Sequence, residues 1–125
     1  MNSLVMLQLD HNNLEGNIPN EICELKFLRR VVLSYNKLSG NIPKNIQNLA
    51  ELREFSVENN MLDGEIPDSL FVLDNLTTLN LKRNKFTGSL PLLDILNINM
   101  VKNPFLTFNF LRIKYLTFCI IYRFI

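Results

Sequence analysis

The stretch LRRVVLSYNKLSGNIP, residues 28–43, decides the fold, because its framework occurs four times at intervals of 24 residues. The recurring positions are Leu4, Leu28, Leu52 and Leu76; Asn12, Asn36, Asn60 and Asn84; Gly16, Gly40, Gly64 and Gly88; and Pro19, Pro43, Pro67 and Pro91. A fixed period of about 20 to 50 residues is the signature of a solenoid built from stacked units. The sequence therefore predicts a solenoid over residues 1–91, with repeats at 4–27, 28–51, 52–75 and 76–91, the last followed by a remnant.

Apolar and polar residues alternate in the first part of each repeat, most clearly in the run Leu79-Asn80-Leu81-Lys82. A period of two places Leu79 and Leu81 on one face of a β-strand. Equivalent strands of successive repeats would lie parallel, roughly 4.8 Å apart. We therefore expect a parallel sheet along one side of the solenoid, with the leucines facing the core.

The residues after each strand have distinct expected roles. The four periodic asparagines, Asn12, Asn36, Asn60 and Asn84, are predicted to form a ladder that bonds turn amides which would otherwise be buried unpaired. The glycine suits a backbone position with positive φ or a close approach. The proline ends the segment because it has no N–H to donate. Residues such as Ile46 and Leu49 then return apolar side chains to the core.

These motifs resemble the plant-type leucine-rich repeat, whose subclass signature is L-x-G-x-I-P. The signature occurs as LEGNIP at 14–19, LSGNIP at 38–43, LDGEIP at 62–67 and FTGSLP at 86–91. The resemblance covers residues 1–91 and implies a leucine-rich-repeat solenoid of the α/β class. Its right-handed superhelix would carry a concave parallel sheet, a second short strand near L-x-G, and 3₁₀ or irregular segments on the convex side. It also implies kinship with extracellular parts of plant receptor-like kinases and receptor-like proteins, and with inhibitors of pathogen cell-wall enzymes.

Composition and motifs argue against catalysis and against nucleic-acid binding. The formal net charge is +1, so no general attraction to nucleic acid is expected. His11 is the only histidine, and Cys23 and Cys119 are far apart in the sequence, so we expect unpaired thiols and no metal site. No nucleophile, phosphate loop or metal-ligand spacing is recognisable in the repeats. The sequence predicts a protein that is not an enzyme and needs no cofactor.

The variable residues beside the strand leucines are the candidate ligand contacts, with a protein or peptide as the expected partner. On the concave face these candidates are Arg30, Val32, Tyr35, Arg53, Glu54, Glu58, Lys82 and Arg83. The period places Arg30 beside Glu54 and Glu58 beside Lys82. These pairs are either a mixed-charge platform, with Tyr35 and His11 as amphipathic contacts, or solvated surface bridges of little energetic value.

Residues 92–125 break the period and form a second predicted region. A degenerate fifth repeat is expected first, with an edge strand near Leu96, followed by an apolar, aromatic-rich and basic tail. The longest uncharged run after Lys114 is eight residues, 115–122, well below the roughly 20 that span a bilayer. The tail is therefore a membrane-surface or partner-docking helix, a cap over the last strand, or a terminus foreign to the native protein.

Three further expectations concern the context of the repeats. Neither a secretory signal nor a cysteine-paired cap precedes Leu4, so the compartment is undecided, and the uncapped ends favour self-association. Asn75, in the triplet Asn75-Leu76-Thr77, is the candidate glycosylation site if the chain is secreted. Besides a binding module, the alternatives are a regulatory fragment of a leucine-rich-repeat receptor kinase or a structural remnant that is unstable alone.

Overall fold

The computed structural model describes residues 3–90, 98–99 and 105–108, and most of its strands recur at the period of the sequence. Within these residues the strands β1 to β10 span Met6–Gln8, Glu15–Asn17, Arg30–Val32, Lys37–Gly40, Glu54–Ser56, Met61–Leu62, Thr78–Asn80, Thr87–Leu90, Ile98–Asn99 and Phe105–Phe108. Each complete repeat contributes one strand to each of two sheets. The expectations for the tail from residue 109 onward, including Cys119, lie outside the described residues.

The principal sheet is parallel, with the strand order β1-β3-β5-β7-β9. Arg30 is paired with Glu54, and Glu54 with Thr78, so each step of the register is one 24-residue period. At the last step Leu79 pairs with Ile98, which shortens the turn of the solenoid by five residues. The strand expected near Leu96 thus lies slightly later, at Ile98–Asn99.

The second set of strands follows the ladder asparagines, as the resemblance implied. Strands β2, β4 and β6 form a three-stranded parallel sheet, and β8 pairs with β10. On the other side of the core, 3₁₀ helices span Asn20–Glu24, Lys44–Asn48 and Asp68–Val72. Each begins directly after the proline of an I-P pair, whose fixed φ suits entry into a helical turn.

The core lies between the principal sheet and the 3₁₀ helices. Its fully covered side chains include Leu28, Val31, Ile46, Leu49, Leu52, Phe55, Val57, Leu62, Leu70, Leu79, Leu81 and Phe86. These are the apolar framework positions of the repeat, so the predicted inward orientation is confirmed. Because each repeat packs only on its neighbours, burial depends on having a repeat on both sides.

Glycine is required at the end of β4 for two separate reasons. Gly40 has φ +75°, a left-handed conformation, and a Cβ added there would collide with the side-chain oxygen of Asn17. Gly16 has a similar φ of +79°, but a Cβ there would meet nothing within 4 Å. The same packing recurs one repeat later, where Asn41 lies against Gly64. The residue after each of these glycines thus packs onto the glycine of the next repeat.

The first repeat is open on the side away from the second. Leu9 and Leu14 are 39% and 37% exposed, whereas their equivalents Leu33 and Leu38 are buried. They border an apolar hollow of 470 Å³ that also contacts Leu4, Leu7, Ile18, Ile22 and Leu25. Glu21 and Glu24 lie on its rim. The exposure expected for the first leucines is therefore present.

Candidate ligand-binding face

The ladder asparagines hold the chain where it leaves each strand. Asn60 is buried; its Oδ1 accepts a hydrogen bond from the Leu38 backbone N–H, and its Nδ2 donates to the carbonyls of Leu33 and Val57, all at 3.0 Å. Asn36 and Asn84 make the equivalent bonds one repeat earlier and later. Each asparagine thus ties its own turn to the preceding repeat, which keeps the adjoining sheet face rigid.

Asn12 occupies the first place of this ladder but bonds differently. Its Nδ2 donates only to the carbonyls of Leu9 and Asp10, both at 3.1 Å and both within its own repeat. Among the described residues, nothing donates to its Oδ1 in the way that Leu14 donates to Asn36. The first position of the ladder therefore has free hydrogen-bonding capacity.

The residue directly before each ladder asparagine has a left-handed backbone. These residues are His11, Tyr35, Asn59 and Arg83, with φ between 54° and 58°. The rings of His11 and Tyr35 stack, with centroids 4.3 Å apart and planes 8° from parallel. The sequence interpretation placed these residues in a variable surface column and missed their conformation. Asparagine and histidine are enriched in this conformation, whereas tyrosine and arginine are not, so the signal available in the sequence was the fixed place directly before the ladder asparagine.

The middle of the sheet face consists of the short side chains of Val32, Ser34 and Ser56, with longer charged residues on either side. We call this part of the face the trough, its short residues the floor and the charged residues its walls. All three floor residues are buried, and the hydroxyls of Ser34 and Ser56 are hydrogen-bonded at 2.7 Å. Val32, predicted as a ligand contact, is only 7% exposed, so little of its side chain is accessible from the sheet face. Its short side chain lies between its register partners Gln8 and Ser56 on the neighbouring strands.

One wall of the trough is formed by Arg30 and Glu54, the pair that the period places on adjacent strands. The Nε atom of Arg30 lies 2.6 Å from Oε2 of Glu54. The Arg30 Nε has no hydrogen-bond partner of acceptable geometry, so this contact is an ion pair without an aligned hydrogen bond. Beside it, Arg29 donates from Nε to Glu51 at 3.1 Å. The half-exposed carboxylates keep both pairs accessible to a ligand.

The opposite wall centres on Glu58. Its ion-pair partner is Arg83, and not Lys82, the cation that the period places beside it. Glu58 lies 3.8 Å from Nη1 of Arg83 and accepts a hydrogen bond from Asn80 Nδ2 at 2.8 Å. In the described residues, Lys82 forms no ion pair with it. The left-handed backbone at Arg83, with φ 54°, explains the exchange, because it redirects this side chain toward the preceding repeat.

Two cations of the face have no ionic partner within the described part of the chain. Arg53 is exposed, and its backbone carbonyl accepts bonds from the Thr77 and Thr78 N–H groups and the Thr77 hydroxyl. Lys82 is half-buried next to the second wall. Their charges are not neutralised by neighbouring carboxylates, so they remain available to an acidic group.

The glycosylation candidate lies away from the trough. Asn75 is exposed and donates from Nδ2 to the Ala50 carbonyl at 2.9 Å, while the Thr77 hydroxyl binds the Arg53 carbonyl at 3.1 Å. Asn75 therefore links the third repeat to the second, and Thr77 links the fourth repeat to the third.

Cys23 lies in the first 3₁₀ helix as a free, buried thiol. Its burial raises its pKa above the ordinary value of 9.0. The protonated form is therefore favoured in the folded repeat, which makes this thiol a poor nucleophile.

The described residues contain no group of three or more histidine, cysteine, aspartate or glutamate side chains that could hold a metal ion. Nor do these residues form any helix with the length and apolar character that crossing a bilayer requires. The serine hydroxyls of the trough are bonded to each other, and His11 is stacked on Tyr35. The chemistry on the face is therefore ionic, polar and aromatic contact.

Comparison with known proteins places this geometry in a family. The leucine-rich repeat family model matches residues 3–25, 27–49, 51–73 and 75–96. No curated protein matches the chain in sequence. Solved structures do match, and they are mainly ectodomains of plant receptor kinases.

Three of these structures illustrate the likeness, all from Arabidopsis thaliana. The BIR2 ectodomain is 36% identical, with a TM-score of 0.69 over 71% of this chain and 47% of that one. The ectodomain of the receptor kinase GASSHO1/SCHENGEN3, in complex with CASPARIAN STRIP INTEGRITY FACTOR 2, is 33% identical, with a TM-score of 0.77 over 86% and 13%. The receptor kinase HAESA, in complex with the peptide hormone IDA and the co-receptor SERK1, is 30% identical, with a TM-score of 0.76 over 87% and 23%.

The chain thus spans less than half the length of each of these three relatives. The family model covers more than half of the chain, and the three structures are 30 to 36% identical to it. The chain belongs to the leucine-rich repeat family.

Proposed function

We propose that this chain is a non-catalytic binding module that receives a protein or peptide in the trough of its principal sheet. The arrangement of the trough carries the proposal: a floor of short, buried side chains lies between two charged walls. Such a floor admits an extended chain close to the sheet, and the walls offer both signs of charge to its side chains. Two of the structural relatives were solved with partners of this kind, one of them a peptide hormone.

The partner would act in the setting of a plant receptor-like protein or receptor kinase. The alternative of a regulatory part of a receptor kinase uses the same face, since a ligand in the trough would be what such a kinase responds to. In either case we expect Arg53 and Lys82 to contribute most to binding an acidic group, because neither has an ionic partner among the described residues. We therefore expect ligands with at least one acidic side chain or a free carboxylate.

A display library of random peptides, selected on the immobilised full chain, tests this role. Selected peptides are expected to be enriched in acidic residues and to bind the variant Arg53→Glu/Lys82→Glu at least about tenfold more weakly, because two attractive charges become repulsive. The matched control is Lys26→Glu/Lys44→Glu, which reverses two exposed lysines outside the sheet face. Its binding should equal that of the unaltered chain. Peptides that bind both variants equally would show that the trough is not the site.

We further propose that the open first repeat promotes self-association. Leu9 and Leu14 are exposed there beside an apolar hollow, and solenoids generally need a polar cap over such an end. The same exposure supports the alternative that the repeats are only marginally stable alone. Sedimentation velocity over a range of concentrations tests the association, and a single monomeric species at all concentrations would contradict it.

A further inference from the structure

One row of residues on the sheet face runs across the strands and borders the trough. Backbone bonds extend the parallel register past the ends of the strands, because the N–H groups of His11, Tyr35 and Asn59 donate to carbonyls of the next repeat at 2.8 to 2.9 Å. Residues that share a place in the period therefore lie side by side on neighbouring repeats. We call one such set the charged row, and its members, in order along the solenoid, are Asp10, Ser34, Glu58 and Lys82.

Two members of the charged row are hydrogen-bonded to the following repeat, each time to the residue 22 places later in the sequence. Ser34 is bonded to Ser56 at 2.7 Å, and Glu58 accepts from Asn80 at 2.8 Å. The residue 22 places after Asp10 is Val32, whose side chain has no polar atom. The second repeat therefore offers Asp10 no partner from this position, whatever chain lies on the other side of the first repeat.

The carboxylate of Asp10 accepts no hydrogen bond from the described residues. Its side chain is only 27% exposed, and its ion-pair contact is Nε2 of His11 at 3.8 Å, which is charged only when protonated and is too distant for a hydrogen bond. A partly buried carboxylate gains most from a donor that also carries positive charge. The first place of the charged row therefore fits an arginine or lysine side chain of a ligand.

The last place of the charged row has the opposite sign. Lys82 is half-buried and has no ionic partner within the described part of the chain. Glu58 beside it is already engaged by Asn80 and Arg83. The row thus presents an available negative charge at one end and an available positive charge at the other. Three strand spacings, about 14 Å, separate them.

This separation matches a defined spacing in an extended peptide that crosses the strands along the row. Such a peptide advances about 3.4 Å per residue, so about 14 Å corresponds to four residues. Residues four apart in an extended chain point to the same side, whereas residues three or five apart point to opposite sides. Only the spacing of four lets both charged side chains face the sheet.

We propose that the charged row selects peptides in which a basic and an acidic residue stand four positions apart, the basic residue on Asp10 and the acidic residue on Lys82. This inference rests on the proposed function and deepens it by naming the class of peptide. The order of the two residues follows from the direction in which the peptide runs. The residue midway between them faces Ser34 and Glu58, so it is not acidic.

The peptides selected from the display library on the full chain give the first test. Pairs of opposite charge should be enriched at a spacing of four over spacings of three and five. In one such peptide with capped ends, inserting or deleting one residue between the charges should weaken binding about tenfold, because one charged side chain then points away from the sheet. Fluorescence anisotropy measures the affinities. Equal affinities at the three spacings would overturn the inference.

Charge reversal with rescue locates each end of the peptide. Asp10→Lys should weaken binding by about tenfold or more, and a peptide with glutamate in place of its basic residue should regain most of it. Lys82→Glu should be rescued only by arginine in place of the acidic residue. Asp10→Asn removes the charge at nearly constant size and should weaken binding less than Asp10→Lys. The controls Asp63→Lys and Lys44→Glu reverse exposed charges away from the sheet face and should bind normally.

The outcomes separate this inference from the proposed function. Peptides that Arg53→Glu/Lys82→Glu weakens, but that bind Asp10→Lys and the unaltered chain equally, would overturn the charged row while leaving the trough as the binding site. Rescue of either reversal by the peptide change meant for the other end would also overturn the assignment of the two charges. Peptides that bind the unaltered chain and Arg53→Glu/Lys82→Glu equally would overturn both proposals.

Discussion

Asn60 and Asn12 hold the same place in their repeats, but their environments differ. Asn60 is buried between two repeats and satisfies three backbone groups, whereas Asn12 is exposed and bonds only within its own turn. The energetic value of a ladder position therefore depends on the neighbouring repeat, because a lost hydrogen bond costs most when water cannot replace it. The glycines show the same dependence, since Gly40 packs against Asn17 and Gly16 packs against nothing.

Replacing Asn60 by alanine is expected to lower the free energy of unfolding by about 2 to 4 kcal/mol, because the Leu38 amide and two carbonyls lose a partner in a buried place. Asn12→Ala, the matched control, should cost less than about 1 kcal/mol because water replaces its bonds. Equilibrium unfolding in urea measures both. Equal losses would contradict a ladder whose strength comes from burial.

Gly40→Ala should be more destabilising than Gly16→Ala. Both substitutions place a Cβ on a left-handed backbone, at a cost of about 1 to 2 kcal/mol. At Gly40 the new methyl group also collides with Asn17, which adds roughly 1 to 3 kcal/mol. The double variant Asn17→Ala/Gly40→Ala should regain the stability that Gly40→Ala loses through this collision. Urea unfolding of the four proteins forms the test, and a double variant no more stable than Gly40→Ala would argue against the steric contact.

At the scale of elements, the strands of the principal sheet are only two or three residues long, and their placement depends on the repeat. Periodicity predicted the strands, the register of Arg30 on Glu54 and the inward leucines, because these follow from geometry that each repeat imposes on the next. Periodicity did not predict the ion-pair partner of Glu58, which is Arg83. The left-handed backbone of Arg83 changes the direction of its side chain, and this conformation leaves no trace in the alternation of apolar and polar residues. Nor did periodicity predict that Val32, a candidate ligand contact, is only 7% exposed.

The first 3₁₀ helix offers a probe of local opening through Cys23, in the background of Cys119→Ser. Labelling by a thiol reagent should be slow in the folded protein, because the thiol is buried and its raised pKa leaves little thiolate. We expect labelling to accelerate at urea concentrations below the global transition, since the first repeat has a neighbour on one side only.

The pH dependence of this opening has a defined sign. The folded repeat favours the protonated thiol, so the stability it contributes is intact below pH 9.0 and falls as the pH rises above it. Labelling that requires complete unfolding at every pH would show that the first repeat does not open separately.

At the scale of the whole molecule, stability is distributed along the axis of the solenoid. The second and third repeats have covered leucines and complete ladder bonds, while the first repeat exposes Leu9 and Leu14. In a linear array each repeat is stabilised mainly by its two neighbours, so an end repeat unfolds more readily. Unfolding should therefore begin at the open hollow and not in the middle.

Hydrogen exchange measured by mass spectrometry should reveal this gradient. Amides of Leu33 and Val57, which bond to the neighbouring strand at 2.8 and 2.9 Å, are expected to exchange most slowly. Those of residues 4–27 should exchange sooner. If the molecules associate through the open first repeat, as proposed above, raising the protein concentration should slow exchange in residues 4–27 selectively. Uniform protection from the first repeat to the fourth would contradict the gradient.

The packing of Asn17 on Gly40 and of Asn41 on Gly64 makes the second repeat an interchangeable cassette. If residues 28–51 were excised, Asn17 would meet Gly64, a junction with the same two residue types. Duplicating that unit would create another junction of the same kind. Recombination between the two copies of this coding segment could therefore lengthen or shorten the array without creating a new type of junction between repeats. A gene built in this way can change the length of its principal sheet in a single event while the contact between asparagine and glycine keeps its form.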